Sequence, residues 1–354
     1  METAPMPHPS STANPANVGD PTIRILATGG TIAGTAHAAH DNVSYQAAAL
    51  PIDALLDGVP ALRQLPARIQ AQQILSKDSK DLDPADWLVI ARATHAALVD
   101  PDVAGIVITH GTDTLEETAW FLHRTLPHCE KPVVLVSAMR PATALGADGP
   151  QNLWDACCVA LAGIHQSVDQ QSATIPMIVC VAAGEVHCAS TVQKIQPYRI
   201  PSFSSGNAGP VAWVEEGRVV WTSPGASIQV PSQAPLFSRG HYECLLTTSS
   251  PAPSVVWLTS HAGCDAYLID ALLASGCNGV LVAGTGNATL HHALEAALHK
   301  AAAAGLPIAV TSRCALGHPV ASANAPTPFR LIPLPAAKAR LELLMELWAQ
   351  KTSQ

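Results

Sequence analysis

Two stretches of this sequence decide the fold: ILATGGTIAG at residues 25–34 and GIVITHGTDTLEETAWFL at residues 105–122. Each begins with a short aliphatic run, which is typical of a buried strand, and continues into a loop of small and polar residues. The second loop then enters a pattern typical of a helix. A buried strand, a polar loop and a helix in succession form the repeating unit of a parallel, helix-covered sheet.

The same alternation continues along the chain. Aliphatic runs predict strands at residues 23–27, 103–109, 133–137, 177–182, 254–259, 280–283 and 308–311. Apolar residues at helical spacing predict helices at residues 87–99, 114–126, 152–164, 266–275, 290–304 and 338–350, the last of them amphipathic. Thr114 and Glu117 have the spacing of a capping box, which predicts that the Thr114 side chain caps the helix at 114–126.

The pattern predicts an α/β protein with two domains, both built on mainly parallel, helix-covered sheets. A length of 354 residues is too great for one small core and fits two domains. Beyond about residue 202 the composition changes to Ser, Gly and Pro, around a hairpin pattern at 212–221. We predict a disordered leader at 1–20, a larger N-terminal catalytic domain at 21–218, a linker at 219–245 and a smaller C-terminal domain at 246–354.

Composition argues against several classes of function. A formal charge of −8 without a run of Lys and Arg argues against a nucleic-acid partner, and no apolar stretch approaches the roughly 20 residues that span a bilayer. Nine irregularly spaced cysteines, and an N-terminus without a secretory signal, predict a reducing compartment, by default the cytoplasm. The adjacent His291 and His292, with no zinc-spaced cysteine pair, predict no metal site.

Four polar segments fall where ligands bind to parallel sheets, at the carboxyl ends of strands. They are ATGGTIAG at 27–34, SKDLD at 79–83, HGTDT at 110–114 and SAMRP at 137–141. Thr112 and Asp113 directly follow a buried strand, an unusual place for a charge unless it meets a ligand or a basic partner. Helix capping is the alternative, but it leaves these two residues unexplained. AGTGNAT at 283–289 matches a dinucleotide fingerprint only weakly, because Thr289 stands at the third glycine.

The two opening stretches resemble the signature segments of the bacterial-type asparaginase/glutaminase family. The resemblance continues through KPVVLVSAMRP at 131–141, GADGPQNLWDA at 146–156 and LPAAKARLELL at 334–344, and it covers most of the chain from about residue 21. It implies an amidohydrolase, an L-asparaginase that converts L-asparagine to L-aspartate and ammonia without a cofactor. It also implies a homotetramer, a dimer of dimers, with sites between domains of different subunits.

Carried over position by position, the resemblance implies five catalytic residues. Thr31 corresponds to the nucleophile and Tyr45 to its activating neighbour, whereas Thr112, Asp113 and Lys194 correspond to a second catalytic cluster. A threonine hydroxyl is a weak nucleophile that needs such a partner, and a lysine amine can relay a proton through a neighbouring hydroxyl.

The resemblance also implies a substrate-binding set. Its members are Gly30, Ser79, Lys80, Thr112, Asp113, Ala138 and Asn287, the last of them reaching a site in a neighbouring subunit. Ser76 and Ser79 both precede Lys-Asp, and Ser79 is preferred because it keeps the family's distance to the next helix. Lys194 is chosen because VHCASTVQK at 186–194 precedes a loop, SFSSGNAGP at 202–210, like the family's own; an ordinary surface lysine is the alternative.

Two departures from the family concern substrate recognition. Lys80 stands where the family usually has glutamine, and residues 312–329 offer no match for the acidic residue that extracellular-type members place in a C-terminal loop. The preference for asparagine over glutamine is therefore less secure than the family assignment.

Three alternatives stay open at this point. A glutaminase-asparaginase of broad specificity has the same residues. The amide-hydrolysing subunit of a tRNA-dependent amidotransferase is disfavoured, because we expect about 20 leader residues to leave no room for its usual extra N-terminal domain. An inactive amino-acid-binding or sensor protein would have no need for the nucleophile at Thr31.

Overall fold

The computed structural model describes residues 19–127, 131–168, 177–222, 239–321 and 329–352. The first 18 residues of the predicted leader and residues 223–238 of the predicted linker lie outside the described residues. The domain boundaries therefore stay a prediction.

The strands and helices alternate over most of the described chain. The strands are β1 (Thr22–Gly29), β2 (Thr35–Ala36), β3 (Tyr45–Gln46), β4 (Arg68–Lys77), β5 (Val103–Thr109), β6 (Val133–Val136), β7 (Ile178–Ala182), β8 (Glu185–Cys188), β9 (Gln193–Lys194), β10 (Phe203–Ser204), β11 (Ala212–Glu215), β12 (Arg218–Trp221), β13 (Val255–Thr259), β14 (Gly279–Gly284), β15 (Ile308–Ser312) and β16 (Arg330–Leu331). The α-helices are α1 (Ile52–Asp57), α2 (Pro84–Val99), α3 (Leu115–Thr125), α4 (Gly149–Val168), α5 (Tyr267–Ser275), α6 (His292–Ala303) and α7 (Ala336–Thr352).

Two sheets carry the fold. The larger has eight strands in the order β12-β11-β8-β7-β6-β5-β1-β4, parallel from β4 to β7 and antiparallel from β7 to β12. The smaller has four parallel strands in the order β13-β14-β15-β16. The predicted α/β class, with a larger and a smaller mainly parallel sheet, is confirmed.

Both faces of the central strands β1, β5, β6 and β7 are buried, which explains why most of their residues are aliphatic. Successive side chains point to opposite faces. In β5, Ile106 and Ile108 belong to the apolar cluster that contains residues of α2 and α3, whereas Val107 belongs to the cluster that contains residues of α1 and α4. This burial fixes the strand ends, and with them the loops that follow.

The C-terminal helix α7 joins the two sheets. It contacts α3 on one side and β13, β14 and β15 on the other, so that a single apolar cluster extends from α2 and α3 to the small sheet. The prediction of an amphipathic helix missed its buried charges: Lys338 and Glu342 are both fully buried. Glu342 accepts hydrogen bonds from Arg124, Trp120 and Tyr242, which compensate for burial of its carboxylate.

Two local features differ from the sequence-based expectations. Helix α3 does begin after Thr114, but the Thr114 side chain does not cap it; its hydroxyl instead donates to the carbonyl of Ser79, 2.8 Å away. The predicted hairpin at 212–221 forms β11 and β12 at the edge of the large sheet, so Val219–Trp221 of the predicted linker lie in that sheet. Among the described residues, no helix is long and apolar enough to cross a membrane.

Candidate active site

The two glycine-containing loops at the carboxyl ends of β1 and β5 touch each other. A Cβ on Gly30 would lie 2.3 Å from the backbone nitrogen of Gly111, so only glycine fits there; the positive φ of 80° adds to that requirement. A Cβ on Gly111 would in turn lie 2.5 Å from Ser79 Oγ. This close packing places Thr31, Thr112 and Ser79 on adjoining segments.

Thr31 is paired with a phenol. It begins a short 3₁₀ turn (Thr31–Ala33) after β1 and is buried, and its Oγ1 lies 2.7 Å from Tyr45 Oη. Tyr45 belongs to the small antiparallel pair of β2 with β3, which folds it back over the turn. Burial raises the pKa of Tyr45, and the hydrogen bond with Thr31 partly opposes that effect. The phenol is therefore protonated at neutral pH and can exchange a proton with the threonine hydroxyl.

A second hydroxyl is paired with an amine. Lys194, in β9, donates to Thr112 Oγ1 at 2.8 Å and to Asp113 Oδ1 at 2.6 Å. The Lys194 side chain is 15% exposed, whereas the Asp113 side chain is half exposed, so the amine faces the interior of the cluster and the carboxylate faces its opening. The arrangement rules out the reading of Lys194 as an ordinary surface lysine.

Ser79 connects the segment after β4 to the loop after β5. Its buried Oγ accepts the backbone N–H of Asp113 at 3.2 Å, and its carbonyl accepts the hydroxyl of Thr114. Ser76 lies elsewhere, with its hydroxyl donating to the carbonyl of Ala48. The geometry supports the choice of Ser79 over Ser76.

Sequence reasoning missed His110, which supports the Thr112 loop from beneath. Its ring is fully buried, with Nδ1 2.7 Å from the carbonyl of Gly111 and Nε2 2.9 Å from Thr118 Oγ1. A carbonyl only accepts, so Nδ1 carries the proton and Nε2 accepts from the threonine. Burial lowers the pKa of His110 to about 4, which keeps the ring neutral. The available signal was a histidine placed directly after a buried strand.

Comparison with known proteins identifies the family. The family model for the N-terminal domain of asparaginase matches residues 22–226, and the model for the C-terminal domain of glutaminase/asparaginase matches residues 254–329. The chain belongs to the asparaginase/glutaminase family. Its relatives are amidohydrolases, and the resemblance stated from the sequence is confirmed.

Individual relatives agree with this assignment. A probable periplasmic L-asparaginase of Haemophilus influenzae is 36% identical over 87% of this chain and 81% of the relative. A glutaminase-asparaginase of Acinetobacter glutaminasificans is 33% identical over 85% and 86%, respectively. The crystal structure of a probable cytoplasmic L-asparaginase from Campylobacter jejuni superimposes with a TM-score of 0.80 at 30% identity, covering 94% of this chain and 98% of that one.

The remaining residues predicted from the family lie in different settings. Lys80 is exposed and pairs with Asp81 at 2.7 Å and Asp78 at 3.1 Å, so its charge is held by its own loop. Ala138 is buried directly after β6. Asn287 follows β14 in the C-terminal domain, where its amide bonds both backbone groups of Val320.

The residues that the structure describes hold no group of three or more His, Cys, Asp or Glu side chains in positions to bind a metal ion.

Proposed function

We propose that this chain is an L-asparaginase that hydrolyses the side-chain amide of L-asparagine with Thr31 as nucleophile. The observation that carries the proposal is the presence of two activated hydroxyls on adjoining loops, Thr31 with Tyr45 and Thr112 with Lys194. Family membership supports the reaction class, because its relatives carry the names L-asparaginase and glutaminase-asparaginase.

In the first half of the reaction, Thr31 Oγ1 attacks the amide carbon and forms a tetrahedral intermediate. Its proton passes to the hydrogen-bonded neighbour Tyr45, which returns a proton to the leaving nitrogen. Backbone N–H groups of the glycine-containing loops stabilise the oxyanion. The step releases ammonia and leaves an acyl ester on Thr31.

In the second half, water attacks that ester. Thr112 Oγ1 accepts the proton of the water molecule and passes its own proton along the hydrogen bond to the Lys194 amine, which takes part in its neutral form and later returns the proton to Thr31 through solvent. Asp113 holds the Lys194 amine in place. Aspartate then leaves and Thr31 regains its proton.

Ser79 and Asp113 hold the α-carboxylate and the α-ammonium group of the substrate. The half-exposed carboxylate of Asp113 keeps one oxygen beyond its contact with Lys194, which leaves it free to accept from an ammonium. The hydroxyl of Ser79 accepts from the Asp113 backbone and so keeps its own proton for a carboxylate. Gly30, Lys80 and Ala138 form the remainder of the proposed pocket within this chain.

We further propose a cytoplasmic homotetramer in which Asn287 reaches a neighbouring subunit's site. Its two bonds to Val320 use one N–H and one lone pair, so one donor and one acceptor remain available for a substrate. A sedimentation or light-scattering mass of four chains is the expected result, and a monomer with full activity would contradict the shared site.

Broad glutaminase-asparaginase activity is the second candidate, and it is favoured by relatives that carry that name. We expect glutamine to be the poorer substrate, because its extra methylene displaces either the reacting carbon from Thr31 or the α-groups from Ser79 and Asp113. A displacement of about 1 Å costs roughly a hundredfold. Lys80, committed to Asp81 and Asp78, offers no compensating contact.

Ammonia release by the purified protein, measured with asparagine and with glutamine, tests both candidates. We expect kcat/KM for asparagine to exceed that for glutamine clearly. Equal values would establish the broader enzyme. No ammonia from either amide would favour the sensor alternative, which isothermal titration with asparagine would then examine directly.

A further inference from the structure

Lys338 lies on α7, a helix of the C-terminal half, yet its ammonium points into the segment that carries Lys194. Its Nζ donates to the carbonyl of Ala189 at 2.8 Å and to the carbonyl of Val192 at 2.7 Å. All three residues are fully buried. We propose that Lys338 is a positioning residue for the catalytic Lys194, acting by fixing the backbone of residues 189–192; this inference rests on the proposed function.

Besides Lys338, the segment is held by the N–H of Ala189 on the carbonyl of Ile178 at 3.2 Å and by the Thr191 hydroxyl on Ser205 Oγ at 3.1 Å. Strand β9 consists of two residues and pairs only with the equally short β10, in a sheet separate from the large one. Before β9 the chain makes a tight turn, with the N–H groups of Thr191 and Val192 both bonding to Cys188. The carbonyls of Ala189 and Val192 face the interior, where an unpaired acceptor is costly. Lys338 satisfies both with one group and joins the two ends of the turn.

The buried ammonium of Lys338 is stabilised by its two carbonyl acceptors and by the charge of Glu116. Burial lowers the pKa of Lys338 to about 8, and the charge of Glu116 opposes that effect. Burial raises the pKa of the Glu116 carboxyl, and the charge of Lys338, the backbone N–H of Lys194 and the charge of Lys194 oppose that effect. Glu116 is therefore close enough to both lysines to interact with each of them electrostatically.

The geometry has a defined consequence for catalysis. Lys194 follows Val192 by two residues, and its amine must meet Thr112 Oγ1 at 2.8 Å to accept a proton. A backbone shift of about 1 Å at Val192 would lengthen that contact and could cost up to roughly a hundredfold in rate. Substrate contacts through Ser79 and the Thr31 loop arise from other segments, so binding should change much less than turnover.

The test compares Lys338→Met with a matched control, Glu342→Gln. Glu342 lies one turn further along α7 and is equally buried. Its partners are Arg124 and Trp120 of α3, the first of them through an ion pair, and the hydroxyl of Tyr242, and none of the three belongs to the 189–194 segment. Both variants should lower the melting temperature. Well below that temperature, we expect Lys338→Met to lower kcat about ten- to a hundredfold with KM within about threefold, and Glu342→Gln to keep kcat within about twofold.

A double variant separates positioning from general destabilisation. In a Lys194→Met background, adding Lys338→Met should lower kcat by less than about twofold, because residues that act through one group are not additive. Full multiplication of the two effects would overturn the proposal. So would a Lys338→Met enzyme whose kcat matches that of the Glu342→Gln control.

Hydrogen exchange over residues 186–196 provides a readout that does not depend on activity. Exchange should accelerate there in Lys338→Met and stay at the wild-type rate in Glu342→Gln; equal rates in both variants would contradict the inference. If Lys194→Met itself keeps wild-type activity, the proposed function is contradicted. If Lys194→Met is inactive but Lys338→Met keeps wild-type kcat, only the positioning role of Lys338 is contradicted.

Lys338→Gln, which keeps N–H donors, replaces Lys338→Met if the latter does not fold. A folded Gln variant with wild-type kcat would overturn the proposal. If neither variant folds while Glu342→Gln does, Lys338 holds the fold as a whole and not the catalytic lysine, which equally contradicts the inference.

Discussion

The loops at the carboxyl ends of the parallel strands contain threonine and glycine in both sheets, but the threonine hydroxyls have different kinds of partner in the two sheets. At the large sheet, hydrogen bonds join residues far apart in sequence: Thr31 to Tyr45, 14 positions on, and Thr112 to Lys194, 82 positions on. At the small sheet, the Thr285 hydroxyl lies 2.9 Å from that of Thr289, only four positions away. The loop after β14 closes on itself, as a Cβ on Gly284 would lie 2.5 Å from Ala288.

The difference shows that threonine and glycine at the end of a strand do not suffice for a catalytic site, which also needs a partner side chain from a distant part of the chain. In the small sheet, the hydroxyls bond to each other or to backbone groups, as Ser312 Oγ does to the carbonyl of Gly286, and among the described residues there they form no hydroxyl–amine pair. In the large sheet, β9 and the β2–β3 hairpin bring an amine and a phenol to hydroxyls that would otherwise cap a turn. The predictions below test whether these distant contacts, and not the loop sequences themselves, carry the chemistry.

The largest expected effect is at the two threonines. Thr31→Ala and Thr112→Val should each reduce kcat at least about a thousandfold, and the double variant should lose little more, as expected for members of one catalytic unit. Steady-state ammonia release measures this. Either single variant with more than a tenth of wild-type activity would remove that threonine from the unit.

Asp113→Asn should have the next largest effect. Loss of one partner of a hydrogen-bonded charge pair costs about 2–5 kcal/mol when the pair is desolvated by substrate, or roughly thirty- to several-thousandfold in kcat/KM. Because we assign Asp113 to the substrate ammonium, a ligand without the α-amino group should lose far less affinity for the variant than asparagine does. Equal losses for both ligands would place Asp113 in the Lys194 contact alone.

His110 gives the large sheet a pH effect on stability. Burial holds its folded-state pKa at about 4, below the ordinary 6.5, so between those values the unfolded chain binds a proton that the folded chain does not. Stability is therefore lost as pH falls through this window, by about 2 kcal/mol from pH 7 to pH 5 for this residue. His187, also buried with its pKa lowered to about 4, adds a similar contribution.

The measurement compares unfolding by urea at pH 7 and pH 5. His110→Asn should be less stable than wild type at pH 7, and its loss of stability on acidification should be smaller than that of wild type by about 2 kcal/mol, the contribution of His110. A wild-type slope retained in full by His110→Asn would mean that other groups account for the acid sensitivity.

The sequence predicted the central strands of both sheets, where both faces are buried, and it missed one long edge strand. The strand at 103–109 was predicted to the residue, because burial on both faces makes it a continuous aliphatic run. Strand β4 was missed, because it is the edge strand of the large sheet and its residues are mostly exposed or half-buried. The positions of Lys338 and Glu342 were missed for a related reason, since charges at helical spacing normally face solvent and only tertiary contacts show otherwise.

The candidate site, too, could be predicted only in part from the sequence. The loop sequences identified Thr31 and Thr112 with their partners through a family resemblance, and the structure brings those partners within hydrogen-bonding distance. The contacts that hold the loops against each other, between Gly30 and Gly111 and from His110 to Thr118, depend on which strands are neighbours. Strand order arises from the packing of the whole sheet, so spacing along the chain does not encode it.

The smallest expected effect concerns the small sheet itself. Thr285→Val keeps the shape of the side chain and the paired backbone bonds to Thr289, and it removes only the exposed contacts of the hydroxyl with the carbonyl and the hydroxyl of Thr289. Such a bond is worth about 0.5–1.5 kcal/mol when buried and less in water, so the melting temperature should fall by no more than about 2 °C. Turnover of asparagine should stay within about twofold, because the hydroxyl serves its own loop and no distant partner. Calorimetry and steady-state rates on the same preparation check both numbers. A tenfold loss of kcat at an unchanged melting temperature would show that Thr285 itself takes part in the chemistry, beyond the substrate contact proposed for Asn287, and the contrast between the two sheets would then fail.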